Sequence, residues 1–101
     1  MAGITTHVLD TAQGRPAAGM RVTLLRDGAT LFEGVTDNDG RARLMERADA
    51  GTYRLTFDTG AYNAAGFFPE VAIVFQIDEA QQHYHVPLLL SPFGYSTYRG
   101  S

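Results

Sequence analysis

Met20-Arg21-Val22-Thr23-Leu24-Leu25-Arg26, then Asp27-Gly28, then Ala29 through Val35, is the stretch that decides the fold class. Met20, Val22 and Leu24 alternate with Arg21 and Thr23, so an extended chain there has one apolar and one polar face. Asp27-Gly28 is a two-residue signal for a tight hairpin turn. The same signature recurs on both sides. Ile4 to Asp10 is rich in β-branched residues and is followed by the turn Gly14-Arg15-Pro16. Asn38-Asp39-Gly40 marks a turn into Arg41 to Glu46, and Tyr53, Leu55 and Phe57 alternate with Thr52, Arg54 and Thr56. Val71, Ile73, Phe75 and Ile77 predict a further strand, as do His83 to Ser91 and, after Pro92-Phe93-Gly94, Tyr95 to Arg99. Thr59 to Ala65 predicts a short helix stopped by Gly66. No segment keeps a 3.6-residue apolar period for long, so the expected fold is all-β, an antiparallel sandwich of about eight strands with one short helix.

Composition narrows the chemistry. A chain of 101 residues without linker, repeat or low-complexity segment reads as one domain spanning residues 1–101. At 45% hydrophobic and 19% charged residues it has the make-up of a folded protein and not of a disordered one. A net charge of −3 argues against a nucleic-acid surface, and apolar runs such as Val71 to Phe75 are too short to span a bilayer. The N-terminal residues show no basic segment leading into an apolar one, and Arg-Gly-Ser is no peroxisomal address, so a cytoplasmic location is expected. The absence of cysteine removes thiol nucleophiles, disulfides and thiolate-bound metals. All eight basic residues are arginines, which removes Schiff-base chemistry through lysine. Histidine, arginine, tyrosine, carboxylates and hydroxyls remain.

On a strand, residues two apart share a face. His83, His85, Pro87 and Leu89 therefore look one way, and Tyr84, Val86, Leu88 and Leu90 the other. Pro87 has no N–H for a ladder, which predicts a sheet edge or an opening beside it. His7 lies mid-strand, while Arg41 follows the turn glycine, where its side chain can lean over a cavity mouth. Each has a plainer reading. A histidine on a strand is often structural, Arg41, Arg43 and Arg47 fit turn-flanking surface charges, and Tyr98 fits interface packing. The three histidines, two of them as His83-x-His85, are also the raw material of a zinc site, without His-Glu-x-x-His or a carboxylate beside His85 to complete one. Gly94-Tyr95-Ser96-Thr97-Tyr98 lacks the second glycine of a serine-nucleophile elbow.

The motifs taken together are more specific. Thr6-His7-Val8-Leu9-Asp10 with Gly14-Arg15-Pro16-Ala17, then Thr36-Asp37-Asn38-Asp39-Gly40-Arg41, then Phe67-Phe68-Pro69-Glu70, occur in order along the chain. His83 to Pro92 and Gly94-Tyr95-Ser96-Thr97-Tyr98-Arg99-Gly100-Ser101 complete the series. With these motifs the chain resembles the 5-hydroxyisourate hydrolases of the transthyretin-like family along nearly its whole length. Transthyretins look similar around Leu89-Leu90-Ser91-Pro92, but they lack the histidines and the Tyr98-Arg99-Gly100-Ser101 ending.

The resemblance implies hydrolysis of the cyclic amide of 5-hydroxyisourate in urate degradation, giving 2-oxo-4-hydroxy-4-carboxy-5-ureidoimidazoline, without a cofactor or metal. It implies a homotetramer whose sites lie in a channel at the dimer–dimer interface, lined by the face of His85, Pro87 and Leu89 with His7, Ser96 and Tyr98. The family's catalytic set falls on His7, Arg41, His85 and Ser101, and substrate binding on His7, Arg41 and Tyr98. Imidazole titrates near neutrality and suits proton transfer to or from water, and a guanidinium suits the oxyanion of the attacked carbonyl. Which histidine is the base stays open, as does the role of His83. The alternative from another class is a non-catalytic transthyretin-like carrier of a small aromatic ligand.

Overall fold

Two sheets face each other in the computed structural model, which describes residues 3–78 and 82–100. The strands are β1 (Ile4–Asp10), β2 (Arg15–Pro16), β3 (Arg21–Arg26), β4 (Ala29–Val35), β5 (Arg41–Met45), β6 (Gly51–Phe57), β7 (Val71–Ile77), β8 (Tyr84–Ser91) and β9 (Gly94–Thr97). A helical turn, α1 (Thr59–Tyr62), separates β6 from β7. One sheet has the order β4-β3-β6-β7; the other runs β2-β1-β8-β9, with β5 also on β1. The hairpin read from Asp27-Gly28 joins β3 to β4, and both residues adopt the left-handed backbone such turns require, with φ of 52° and 80°.

Period-two alternation puts the core between the sheets. Ile4, Val8 and Leu88 are fully buried on one sheet, and Val22, Leu24, Leu55, Phe57 and Val71 on the other. The outer face of β1 carries Thr5, His7 and Leu9, all half-buried. Thr36 closes the seam between loop and sheet: its hydroxyl accepts from the Met20 N–H at 2.9 Å and donates to the Ala17 carbonyl at 2.6 Å. Tyr62 ties α1 to β1 by donating to Asp10 Oδ2 at 2.8 Å. Burial first, and the Asp10 carboxylate second, push the Tyr62 pKa up, so its hydroxyl stays a donor.

The structure departs from the sequence reading at four places. The β1–β8 pair is parallel while the other pairs are antiparallel, an arrangement that needs a long crossover, which the chain between the two strands supplies. The helix stops after one turn instead of running to Ala65, since Asn63 is extended (φ −148°) and Phe67 N–H bonds the Pro92 carbonyl at 2.8 Å. Arg15–Pro16 adds a two-residue strand that has no alternation to betray it. Finally, β8 is interior, flanked by β1 and β9, and not an edge. Its even-numbered carbonyls face β1, where Val86 and Leu90 accept from Thr6 and Thr11. The odd-numbered ones face the C-terminal strand, where Pro87 O accepts from Thr97 Oγ1 and His85 O from the Gly100 N–H. The missing N–H of Pro87 thus falls between the end of β9 and the isolated bridge of Gly100 with His85, at the one position where the pairing along this side of β8 is interrupted.

Gly40 sets how β5 meets β1. Its φ is +75°, its carbonyl accepts from the Val8 N–H at 2.7 Å, and a Cβ there would come within 2.4 Å of the Val8 carbonyl. Gly19 has a similar φ of +74° with open space around it. Gly19→Ala should therefore cost about 1–2 kcal/mol of left-handed strain, and Gly40→Ala clearly more. Denaturant midpoints of both variants check this, and equal losses would mean the Gly40 contact is not tight.

Candidate active site

Three adjacent strands build the site, and their register decides which side chains meet. In one row across the outer face, Arg41 of β5 pairs with His7 of β1, which pairs with Pro87 of β8. In the next row Arg43 pairs with Thr5, which pairs with His85. A third row holds Leu9, Leu89 and Ser96. Side chains directly opposite on neighbouring strands have Cβ atoms roughly 4.5–5.5 Å apart, so His7 and Arg41 are immediate neighbours, and His85 is one row away.

Local structure fixes each group. Asp37 holds the turn before β5: Oδ1 accepts from the Asp39 and Arg41 N–H groups at 2.9 Å each, and its backbone N–H bonds the Arg41 carbonyl at 2.8 Å. Arg41 therefore leaves the turn in a set direction. The Thr5 hydroxyl sits between two imidazoles, 2.8 Å from His85 Nδ1 and 3.0 Å from His83 Nε2. Gly100 lies against the other side of His85, where a Cβ would come within 2.6 Å of the ring. A side chain at position 100 would displace the imidazole.

These residues open onto a groove of about 720 Å³ lined by Thr5, Asp37, Arg41, Arg43, His83 and His85, with Phe32 and Val35 as its apolar wall. The chain is acidic overall, yet two guanidinium groups line this groove. Their effect is visible on His85. Burial comes first, followed by His7, Arg41 and His83, and together they lower its pKa below the ordinary histidine value of 6.5. An uncharged imidazole at neutral pH beside a fixed cation can take a proton while the cation holds a developing negative charge.

The sequence-derived candidates divide accordingly. His7, Arg41 and His85 share one face within two rows. Ser96 is one row further, beside Leu89. Tyr98 is 59% exposed and borders a different, apolar cleft with Ile73, Phe75, Tyr84 and Val86, so a single chain does not bring it to the groove. Ser101 lies outside the described residues. Among the described residues, no three histidine or carboxylate side chains are grouped to hold a metal ion.

Thr5 and Arg43 were missed, and Arg43 is not the plain turn-flanking charge its position suggested. The signal was present: Thr5-x-His7 and Arg41-x-Arg43 each place two polar groups on one strand face. What the spacing does not carry is the cross-strand register that sets them opposite His85.

The model of the HIUase/Transthyretin family matches residues 4–100. A 5-hydroxyisourate hydrolase of Caulobacter vibrioides is 50% identical over 100% of both chains. The uric acid degradation bifunctional protein TTL of Arabidopsis thaliana is 49% identical over 97% of this chain, which spans 37% of that larger protein. Among solved structures, the 5-hydroxyisourate hydrolase of Klebsiella pneumoniae superposes with a TM-score of 0.91 at 43% identity, covering 100% of each chain. By its motifs, its two sheets and this match over nearly its full length, the chain belongs to the HIUase/Transthyretin family.

Proposed function

We propose that this protein hydrolyses the cyclic amide of 5-hydroxyisourate, opening the ring to 2-oxo-4-hydroxy-4-carboxy-5-ureidoimidazoline in urate degradation. The observation that carries the reading is the row Arg41–His7–Pro87 lying directly beside Arg43–Thr5–His85. Relatives that share this chain's length and half its residues bear the name of that activity.

The chemistry follows from the groups. His85, held neutral, takes a proton from water as it attacks the ring carbonyl, forming the new C–O bond. Negative charge grows on the carbonyl oxygen, and the Arg41 fork donates to it. As the C–N bond breaks, the leaving nitrogen takes a proton from an imidazole, with His7 placed beside Arg41 for that delivery. No metal is needed, because guanidinium and imidazole supply the charge and the proton. In this proposal Ser101 contributes its hydroxyl, and Tyr98 binds the flat heterocycle from a neighbouring subunit.

A tetramer supports that last step. Strands β7 and β9 end their sheets, which leaves hydrogen-bonding edges for strand pairing between subunits. The outer face of His85, Pro87 and Leu89 is then free to meet its symmetry mate around a channel. Such an enzyme acts in the cytoplasm. A carrier role has less in its favour, since the groove is lined mainly by charged and hydrogen-bonding side chains.

The deciding measurement is an ultraviolet time course of 5-hydroxyisourate generated by urate oxidase. The protein should accelerate its decay; His7→Ala, His85→Ala and Arg41→Ala should each lose roughly two to four orders of magnitude in turnover. Unchanged decay in the presence of the protein would favour the carrier. A C-terminal extension beyond Ser101 should impair turnover more than an N-terminal one, and equal rates would remove Ser101 from the site.

The pH dependence has a definite sign. His85 is lowered, so it should stay neutral through 6.5 and gain its proton only below that value. The folded state then binds fewer protons than the unfolded one on acidification, and His85 subtracts stability as pH falls below 6.5, with no cost above it. An NMR titration of the His85 ring checks this, and a midpoint at or above 6.5 would contradict the burial argument.

A further inference from the structure

The Thr5 hydroxyl carries a single hydrogen, yet it lies within hydrogen-bond distance of two ring nitrogens, His85 Nδ1 and His83 Nε2. It can donate to one ring only, so the other ring must donate to it. Two arrangements satisfy all three groups. In the first, His85 Nδ1–H donates to Thr5 and Thr5 donates to His83 Nε2, which leaves His85 Nε2 with a bare lone pair. In the second, both bonds are reversed and His85 Nε2 carries the hydrogen. The two states hold the same number of protons and differ only in the tautomers of the two rings.

We propose that Thr5 and His83 are positioning residues of this site: the hydroxyl couples the two imidazoles, so that His83, accepting from Thr5 through Nε2, holds His85 as its Nδ1–H tautomer with Nε2 bare toward the groove. The inference rests on the hydrolase reading for its catalytic meaning, although the coupling itself needs no substrate.

Three observations support the first arrangement. His85 Nδ1 is engaged by Thr5, so Nε2 is the nitrogen left for the groove. The cations there, Arg41 and Arg43, bring only N–H donors, which favour a lone pair facing them over a second N–H. Both rings are also held in place. Gly100 backs His85, and Gly3 backs His83, where a Cβ would come within 3.0 Å of Nδ1. His83 is exposed, so its far nitrogen can exchange protons with solvent while Nε2 faces Thr5.

A consequence follows for proton flow. When His85 Nε2 takes the proton of the attacking water, the ring can pass its Nδ1 hydrogen to Thr5 Oγ1, and Thr5 can pass its own to His83 Nε2. His83, now cationic, releases its Nδ1 hydrogen to solvent. One proton has left the groove, and His85 is neutral with hydrogen on Nε2. A proton placed on His83 Nε2 makes that ring a donor to Thr5, whose hydroxyl then turns to His85 Nδ1. His85 releases its Nδ1 hydrogen to solvent and takes one at Nε2, so one net proton is gained, at His83, and His85 loses its bare Nε2. Among the described residues, the charged and titratable neighbours of the pair are His7 from β1, Arg41 and Arg43 from β5, Asp37 and Glu46 at either end of β5, and Arg99 from the C-terminal segment.

The test uses the full-length protein labelled with ¹⁵N-histidine, and long-range ¹H–¹⁵N spectra read the His85 tautomer without substrate. Wild type and Thr5→Ser should show His85 as the Nδ1–H form. Thr5→Val, with the same shape and no hydroxyl, and Thr5→Ala should show the Nε2–H form or a mixture. In turnover, Thr5→Val and His83→Gln should lose roughly 10–100-fold in kcat, the scale of removing a group that orients an active histidine, with KM within about threefold and Thr5→Ser largely restored. A wild-type tautomer and kcat in Thr5→Val would overturn the proposal. A Thr5-dependent tautomer in a wild-type protein that does not accelerate 5-hydroxyisourate decay would sustain the coupling and overturn the hydrolase reading alone.

Discussion

The parallel pairing of β1 with β8 is the constraint on which the rest depends. These strands come from opposite ends of the sequence, and all seven residues of β1 are in register with Tyr84 to Leu90. The pairing buries Ile4, Val8 and Leu88 on one side. On the other it sets Thr5 against His85 and His7 against Pro87. Because the side-chain period of a strand is two, a slip of one residue would send both histidines into the core and bring Thr6 and Val86 to the groove. Such a slip is resisted by the core face, and also by Thr6, which is buried and donates to Val86 O at 2.6 Å. The apolar side of the sheet therefore holds the polar side in position.

The site also has an electrostatic logic. An arginine beside a histidine opposes protonation of that histidine, and here two other imidazoles and burial act in the same direction on His85. In the proposed mechanism, a base that must be uncharged and a cation that must never lose its charge are thus mutually supportive. The groove gains this character without any large net charge, since the positive groups come from one short strand, β5, whose direction is fixed by the Asp37 carboxylate and by Gly40.

Much of this was legible in the sequence. Alternation gave the strands around Tyr53, Leu55 and Phe57 and the hairpin at Asp27-Gly28, because each is a local property of a few residues. The histidine and arginine candidates were implied by the family resemblance of the motifs, and the register sets His7, Arg41 and His85 on one sheet face within two rows. Sequence reading failed where long-range pairing decides. Pro87 pointed to a sheet edge or an opening because a missing N–H suggests a missing neighbour; β8 is interior, and the proline sits where its pairing is interrupted between β9 and the Gly100 bridge. Thr5 looked like ordinary β-branched filling, and only its partners eighty residues away along the chain make it a junction between His83 and His85.

The same sandwich can serve a carrier or an enzyme, so the distinction must rest on the groups that reach its outer face. An apolar ligand would be held by burial, and a groove built for that would spend its lining on aliphatic and aromatic side chains. Here the apolar cleft and the polar groove are separate: Ile73, Phe75, Tyr84 and Val86 line one, with Arg99 beside them, and Arg41, Arg43, His83 and His85 line the other. Thr5, His7 and His85 are half-buried beside the exposed Arg41 and Arg43, and half-buried imidazoles next to cations carry an electrostatic cost that packing alone does not require. A row of arginine, histidine and proline beside one of arginine, threonine and histidine returns that cost only where charge and protons must move, which is the demand of opening an amide ring and not of storing a ligand.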